Sequence, residues 1–174
     1  MAPLPEVRST PARPFLYSGM DYCGPFLVRP LNGKGALVKM YVSLFVCLVV
    51  KAVHIEIVTD ISAASCINAV KRIVAWHGRI VELHCNNATA FVAFQVRNHC
   101  LDNGIKFQFI PARSPHFGGI WEAGIKPFKY HFRRIMGLKS FSVDHLHTVV
   151  TQVEAVLNSR PCRHSLILPM IWRL

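Results

Sequence analysis

Pro115-His116-Phe117-Gly118-Gly119-Ile120-Trp121-Glu122 reads as a turn that opens a helix, followed by a basic run to Arg134. Gly118 and Gly119 give a flexible entry, and the next proline is Pro127. Trp121, Ile125, Phe128, Phe132 and Ile135 recur at helical spacing and predict a core-facing stripe. Glu122, Lys126, Lys129 and Arg133 follow one another by four, three and four, so one carboxylate heads a file of cations. An ordinary exposed helix has the same pattern, in which a Glu–Lys pair contributes a few tenths of a kcal/mol. The sharper reading is a metal-binding carboxylate beside a surface that grips phosphates.

The composition favours a polyanionic partner. Lys and Arg number 20 against 9 Asp and Glu, a net charge of +11. Nucleic acid comes before membrane, because no amphipathic basic helix stands alone. The most apolar run, Met40 to Val50, has eleven residues between Lys39 and Lys51, too few to span a bilayer as a helix. It reads as a buried strand. With 174 residues, 52% hydrophobic and 17% charged, the chain suits one folded domain. Prolines at 3, 5, 11 and 14 stand where a signal peptide would need an apolar stretch. Six cysteines without a Cys-x-x-Cys pair predict reduced core residues of an intracellular protein. Asp144, His145 and His147 form the tightest His-rich cluster, yet no Cys/His spacing predicts a zinc site.

In chain order, residues 1–14 predict an extended lead-in. A first strand runs from about Phe15 to Val28 with a break at Gly24-Pro25, and carries Asp21 in its middle. Asn32-Gly33 predicts a hairpin into strands at Leu37–Val49 and Ala52–Val58. Thr59-Asp60 is placed to cap a helix from Ile61 to about Trp76, with Ile67, Val70, Ile73 and Val74 inward. A short strand, Ile80 to Cys85, completes a β-α-β unit and delivers Asn86-Asn87 at its C-terminal end. One weaker helix, Phe91–Leu101, and a strand, Ile105–Ile110, precede the opening turn. A last helix starts at a Ser142 cap and turns Leu146, Val149, Val150, Val153, Val156 and Leu157 inward. Residues 162–174 have no period. The order predicts an α/β fold: a mixed five-stranded sheet, three antiparallel strands then parallel additions, with helices on both faces.

At this point the chain resembles a family. Arg13-Pro14-Phe15, Gly19-Met20-Asp21-Tyr22-Cys23-Gly24-Pro25-Phe26, Lys51-Ala52-Val53-His54-Ile55-Glu56, Phe109 to Ala123, and Glu154 to Pro161 look like the catalytic core of a retroelement integrase. The closest type is that of Pao/BEL LTR retrotransposons. The resemblance implies a ribonuclease-H-like core over residues 15–161. It also implies DNA integration by metal-dependent phosphoryl transfer, in which two aspartates and a glutamate hold two magnesium (or manganese) ions. By position the first aspartate is Asp21 and the glutamate is Glu122. Lys126, Lys129, Arg133 and Arg134, with Asn87 and His116, become the expected DNA contacts. The implied partners are retroelement ends and target DNA, with assembly of several copies of the chain. A nuclear location follows only from that substrate.

The second aspartate is missing. The family reads Asp-Asn-Gly-Thr-Asn-Phe where this chain has Asn86-Asn87-Ala88-Thr89-Ala90-Phe91. The register is otherwise kept, with 35 residues (87 to 121) between Asn86 and Glu122. One unit charge at about 4 Å is worth roughly 4 kcal/mol at an effective dielectric of about 20. That corresponds to on the order of a thousandfold in rate or metal affinity. Glu82 lies roughly 13 Å from Asn86 along the strand, and Asp102 sits at a helix end, so neither replaces the lost acid. Pro127 removes a helix hydrogen bond at a cost of roughly 3 kcal/mol and predicts a kink that tilts Lys129 and Arg133 away from Glu122. The family's N-terminal zinc-binding and C-terminal DNA-binding regions have no counterpart in these residues. Two functional readings follow: an integrase core whose catalysis and metal binding are impaired at Asn86, or a non-catalytic, decayed or domesticated DNA-binding module. Pro127 and the unpatterned tail also admit a third, a fragment that does not fold stably.

Overall fold

The computed structural model describes residues 11–30, 35–86, 89–109, 119–136 and 141–159. Among these residues six strands form one sheet: β1 (Tyr17–Arg29), β2 (Val38–Cys47), β3 (Val53–Val58), β4 (Glu82–Cys85), β5 (Lys106–Phe109) and β6 (Phe141–Ser142). The helices are α1 (Ala63–His77), α2 (Thr89–Val92), α3 (Phe94–Asp102), α4 (Gly119–Met136) and α5 (Val143–Asn158). The sheet order is β3-β2-β1-β4-β5, with β6 paired to β1. The first three strands are antiparallel, and β4, β5 and β6 join in parallel. The expected five-stranded mixed sheet is present, and β6 is an addition to it. Two residues carry no readable alternation, so β6 has no sequence signal of its own.

Alternation along β1 and β2 divides the core. One face sends Cys23, Val28, Val42, Leu44 and Val46 against Ile125, Phe128 and Phe132 of α4 and Leu146, Val149, Val150, Val153 and Leu157 of α5. The other face sends Met20, Phe45 and Cys47 against Cys66, Ala69, Val70 and Ile73 of α1, Phe91 of α2, and Val96 and Cys100 of α3. Helices therefore cover both faces, as alternation of apolar residues on both sides of a central strand requires. The five described cysteines are all buried free thiols, and Cys162 lies outside the described residues.

Several local readings are corrected. The cap of α1 is Ser62, whose hydroxyl accepts from Ser65 N, while Asp60 Oδ1 accepts from Ser62 N one step earlier. Polar residues in tandem offer more than one cap, and tertiary packing selects among them. The inward stripe of α1 is centred on Cys66, Ala69, Val70 and Ile73, with Ile67 and Val74 at its margin. The single helix expected at 91–101 is split at Ala93, whose backbone is extended. The split seats Phe91 flat against Tyr22, with ring centroids 5.1 Å apart. On α5, Val156 is 48% exposed; it lies roughly 80° around the helix from Leu146, off the buried arc. Ile135, on the last turn of α4, is 45% exposed. Helix α4 runs unbroken through Pro127. Its burial of Ile125, Phe128 and Phe132 compensates the missing hydrogen bond.

Two glycines set close approaches. Gly24, at φ +139°, precedes a cis Pro25 at a shift in the β1–β2 register. A side chain there would meet Tyr41 Cδ1 at 2.9 Å and Met40 O at 3.1 Å. Gly124 on α4 has Val46 Cγ2 2.8 Å and Leu44 Cδ2 3.4 Å from where a Cβ would stand. The helix therefore lies almost directly on β2. Residues 1–10, 31–34 (with the expected Asn32-Gly33 turn), 87–88, 110–118, 137–140 and 160–174 lie outside the described residues. With them lie most of the lead-in, Asn87, His116, the opening turn and the 162–174 tail.

Candidate active site and nucleic-acid interface

Asp21 and Asn86 meet across the parallel pair β1–β4. The register pairs Met20 with Cys85, so the next residues, Asp21 and Asn86, stand side by side where β4 ends. Asn86 Nδ2 donates to Asp21 Oδ1 at 3.1 Å. The same oxygen accepts from the backbone N–H of Tyr22 at 2.7 Å. Both side chains are half-buried. Asp21 pairs with Leu44 of β2, the residue against which Gly124 packs α4. Glu122 sits two residues before Gly124, on the first turns of α4. The backbone thus brings the helix that carries Glu122 over the strand pair that carries Asp21.

Glu82 and His84 share the β4 face with Asn86 but are engaged elsewhere. Glu82 accepts from Lys106 Nζ at 3.2 Å and faces His84 Nε2 at 3.3 Å. Burial lowers the His84 pKa, with Glu82 opposing. Asp102 ends α3 in solvent. Neither acid supplies the charge that Asn86 lacks.

Among the described residues the site offers one carboxylate, a weak match to a pair of divalent ions. Hard cations take oxygen ligands and need anionic charge. Here an amide turns its N–H toward the one described carboxylate of the site. Among the described residues, no three His, Cys, Asp or Glu side chains gather closely enough to hold a metal ion.

The basic file is intact across Pro127. Lys126, Lys129, Tyr130, Arg133 and Arg134 line one open concavity of about 440 Å³. The cations are exposed, and among the described residues none of the four makes an ion pair with a carboxylate. Burial pushes the Cys23 thiol pKa up, the Lys129 and Arg133 charges pull it down, and Asp21 pushes it up. Those influences put Lys129, Arg133 and Asp21 around the same stretch of β1. Tyr130 is the residue of this surface that sequence reading passed over. Its signal was an aromatic four residues before Arg134.

A second polar cluster lies at the far edge of the sheet. His54 Nε2 is 2.9 Å from Glu56 Oε1, and Nδ1 is 3.5 Å from Glu154 Oε1 on α5. Arg72 of α1 holds the other Glu56 oxygen. Burial alone would lower the His54 pKa, but hydrogen bonds and charge from Glu154 and Glu56 raise it to about 9. Glu154 Oε2 accepts from Ile55 N at 2.9 Å. Asn158 accepts from Val53 N and donates to Val53 O, both at 2.7 Å. These side chains occupy the open edge of β3, where unpaired backbone groups would recruit another strand. Among the described residues, no helix is long and apolar enough to cross a membrane.

No family model and no curated protein matches the sequence. Solved structures do. A chain of the simian T-cell lymphotropic virus intasome, in complex with PP2A regulatory subunit B56 gamma, is similar at 12% identity and TM-score 0.68, over 88% of this chain and 52% of that one. This chain thus spans about half the length of that neighbour. The HTLV-2 integrase catalytic core domain, solved as a dimer with magnesium, is similar at 15% identity and TM-score 0.63, over 86% and 90% of the two chains. The BIV integrase catalytic core domain matches at 15% identity and TM-score 0.63, over 84% and 86%. At such identities the likeness speaks to architecture, and the fold of this chain is the ribonuclease-H-like α/β fold of integrase catalytic cores.

Proposed function

We propose that the chain is a retroelement integrase core, of Pao/BEL type, that binds DNA through α4 and whose metal-dependent strand transfer is impaired at Asn86. The observation that carries this reading is the Asn86–Asp21 hydrogen bond. An amide fills the place of a carboxylate, and its N–H offers Asp21 the partial positive end of a neutral dipole where a cation would offer full charge. Asp21 and Glu122 are the carboxylates that remain. Magnesium or manganese, if offered, binds weakly because the set is one charge short.

What the chain retains is an electrostatic interface. Lys126, Lys129, Arg133 and Arg134 neutralise phosphates, release counterions and fix a strand against the helix. Retroelement ends and target DNA are the partners this reading names, with a nuclear location and self-assembly following from it. Binding then needs no metal. The test is fluorescence anisotropy with labelled DNA over a salt series, with and without EDTA. Four phosphate contacts predict a slope of log K against log salt of about −3 to −4, unchanged by the chelator. A flat salt dependence, or binding abolished by EDTA, would overturn this reading.

A further inference from the structure

Helix α4 buries Phe128 and Phe132 against the sheet yet leaves Tyr130 57% exposed. The ring is oriented by its neighbours. Its hydroxyl accepts from Arg134 Nη1 at 3.1 Å, and Arg134 Cζ lies 5.5 Å from the ring centroid. His131 meets the ring nearly edge-on, with centroids 5.3 Å apart. A Tyr–Arg pair at this spacing stabilises any exposed helix. It also places the ring on an open, shallow face shared with four cations, where a base can be laid against it.

A duplex presents phosphates outward and keeps its bases stacked inside. It would use the cations and leave the ring idle. A strand with unpaired bases uses both, because every base has a face that stacks on an aromatic ring while its phosphates meet the cations. Tyr130 follows Glu122 by eight residues, or about 12 Å along the helix axis. A strand that enters at the Asp21–Glu122 end of α4 therefore passes over the ring within a few nucleotides.

We infer that Tyr130 is a base-stacking platform, and that the nucleic acid filling this concavity carries unpaired bases. The inference rests on the reading that α4 binds nucleic acid, and it adds the class of strand. The experiment measures the affinity of the full chain for a labelled single strand and for a blunt duplex of equal length. Tyr130→Ala, Tyr130→Phe and Lys129→Ala are compared with the native chain, each checked by circular dichroism. Tyr130→Ala is expected to weaken single-strand binding about tenfold and duplex binding less than twofold. Tyr130→Phe, which keeps the ring and loses the hydroxyl bond to Arg134, is expected to bind like the native chain. Lys129→Ala is expected to weaken both. Equal losses on both probes with Tyr130→Ala, or no loss on either, would overturn the stacking role while the cationic interface stands. Failure of the native chain to bind either probe would overturn both.

Discussion

Asn86 donates its amide N–H to Asp21 across β1 and β4, at 3.1 Å. A hydrogen bond of this kind contributes about 1 to 3 kcal/mol when one partner is charged. Asn86→Asp replaces it with two carboxylates in contact. The variant is expected to lose about 2 kcal/mol in EDTA and to regain stability as magnesium or manganese is added. The native chain's melting temperature should be indifferent to both. Differential scanning fluorimetry with a metal titration checks this; a native chain stabilised by metal as strongly as the variant would contradict it.

Gly124 sets the seat of α4 on Leu44 and Val46. Gly124→Val pushes side-chain carbons into Val46 at under 3 Å. Overpacking of this kind costs about 2 kcal/mol. For a chain of this size that lowers the melting temperature by roughly 4 to 8 °C. Because the helix also carries Glu122 and the cations, DNA affinity should fall in the same variant. Melting and anisotropy curves of the one sample test both.

His54 links β3 to α5 through Glu154 and to Glu56 on its own strand, while His77 and Arg72 of α1 stand beside them. Its folded pKa is raised from 6.5 to about 9. Stability from this group is therefore fully present below about pH 6.5 and lost as pH rises through 9. The loss is on the order of 3 kcal/mol. His77 acts in the opposite sense and lower window. Burial and the His54 charge depress its pKa, so its contribution is lost below pH 6.5. Urea unfolding from pH 6.5 to 8.5 should show a fall in the native chain that His54→Gln flattens. Parallel curves for the two proteins would refute the assignment.

Asn158 closes the edge of β3 with two bonds to Val53. Asn158→Ala leaves a donor and an acceptor without them. The expected cost is about 2 kcal/mol, with self-association of the exposed edge visible by light scattering. Asn158→Asp keeps the bond from Val53 N and loses the one to Val53 O, so its cost should fall between. A fully monomeric Asn158→Ala of native stability would show that the edge is protected by other means.

Much of the frame was legible because it is local. Period two exposed β1 to β3, period 3.6 exposed α1, α4 and α5, and the β-α-β unit put Asn86 at the C-terminal end of a strand; its place beside Asp21 came from the β1–β4 register. Features that depend on distant partners were not. Glu154 and Asn158 occur in a recognisable block, but their task is set by Val53 and Ile55, about a hundred residues earlier. The Ala93 break accompanies the stacking of Phe91 on Tyr22. Pro127 read as a kink because its local cost is plain, whereas the buried face that offsets it belongs to the sheet. Tyr130 has no sequence signal beyond an aromatic four residues before Arg134.

On the proposed reading, one missing carboxylate in an otherwise sound frame separates this chain from catalysis. Magnesium- or manganese-dependent DNA strand transfer, measured side by side on the native chain and on Asn86→Asp, tests it most directly. Activity is expected in the variant alone, above the native level by on the order of a thousandfold. Equal activity in the two proteins, or none in either, would contradict it.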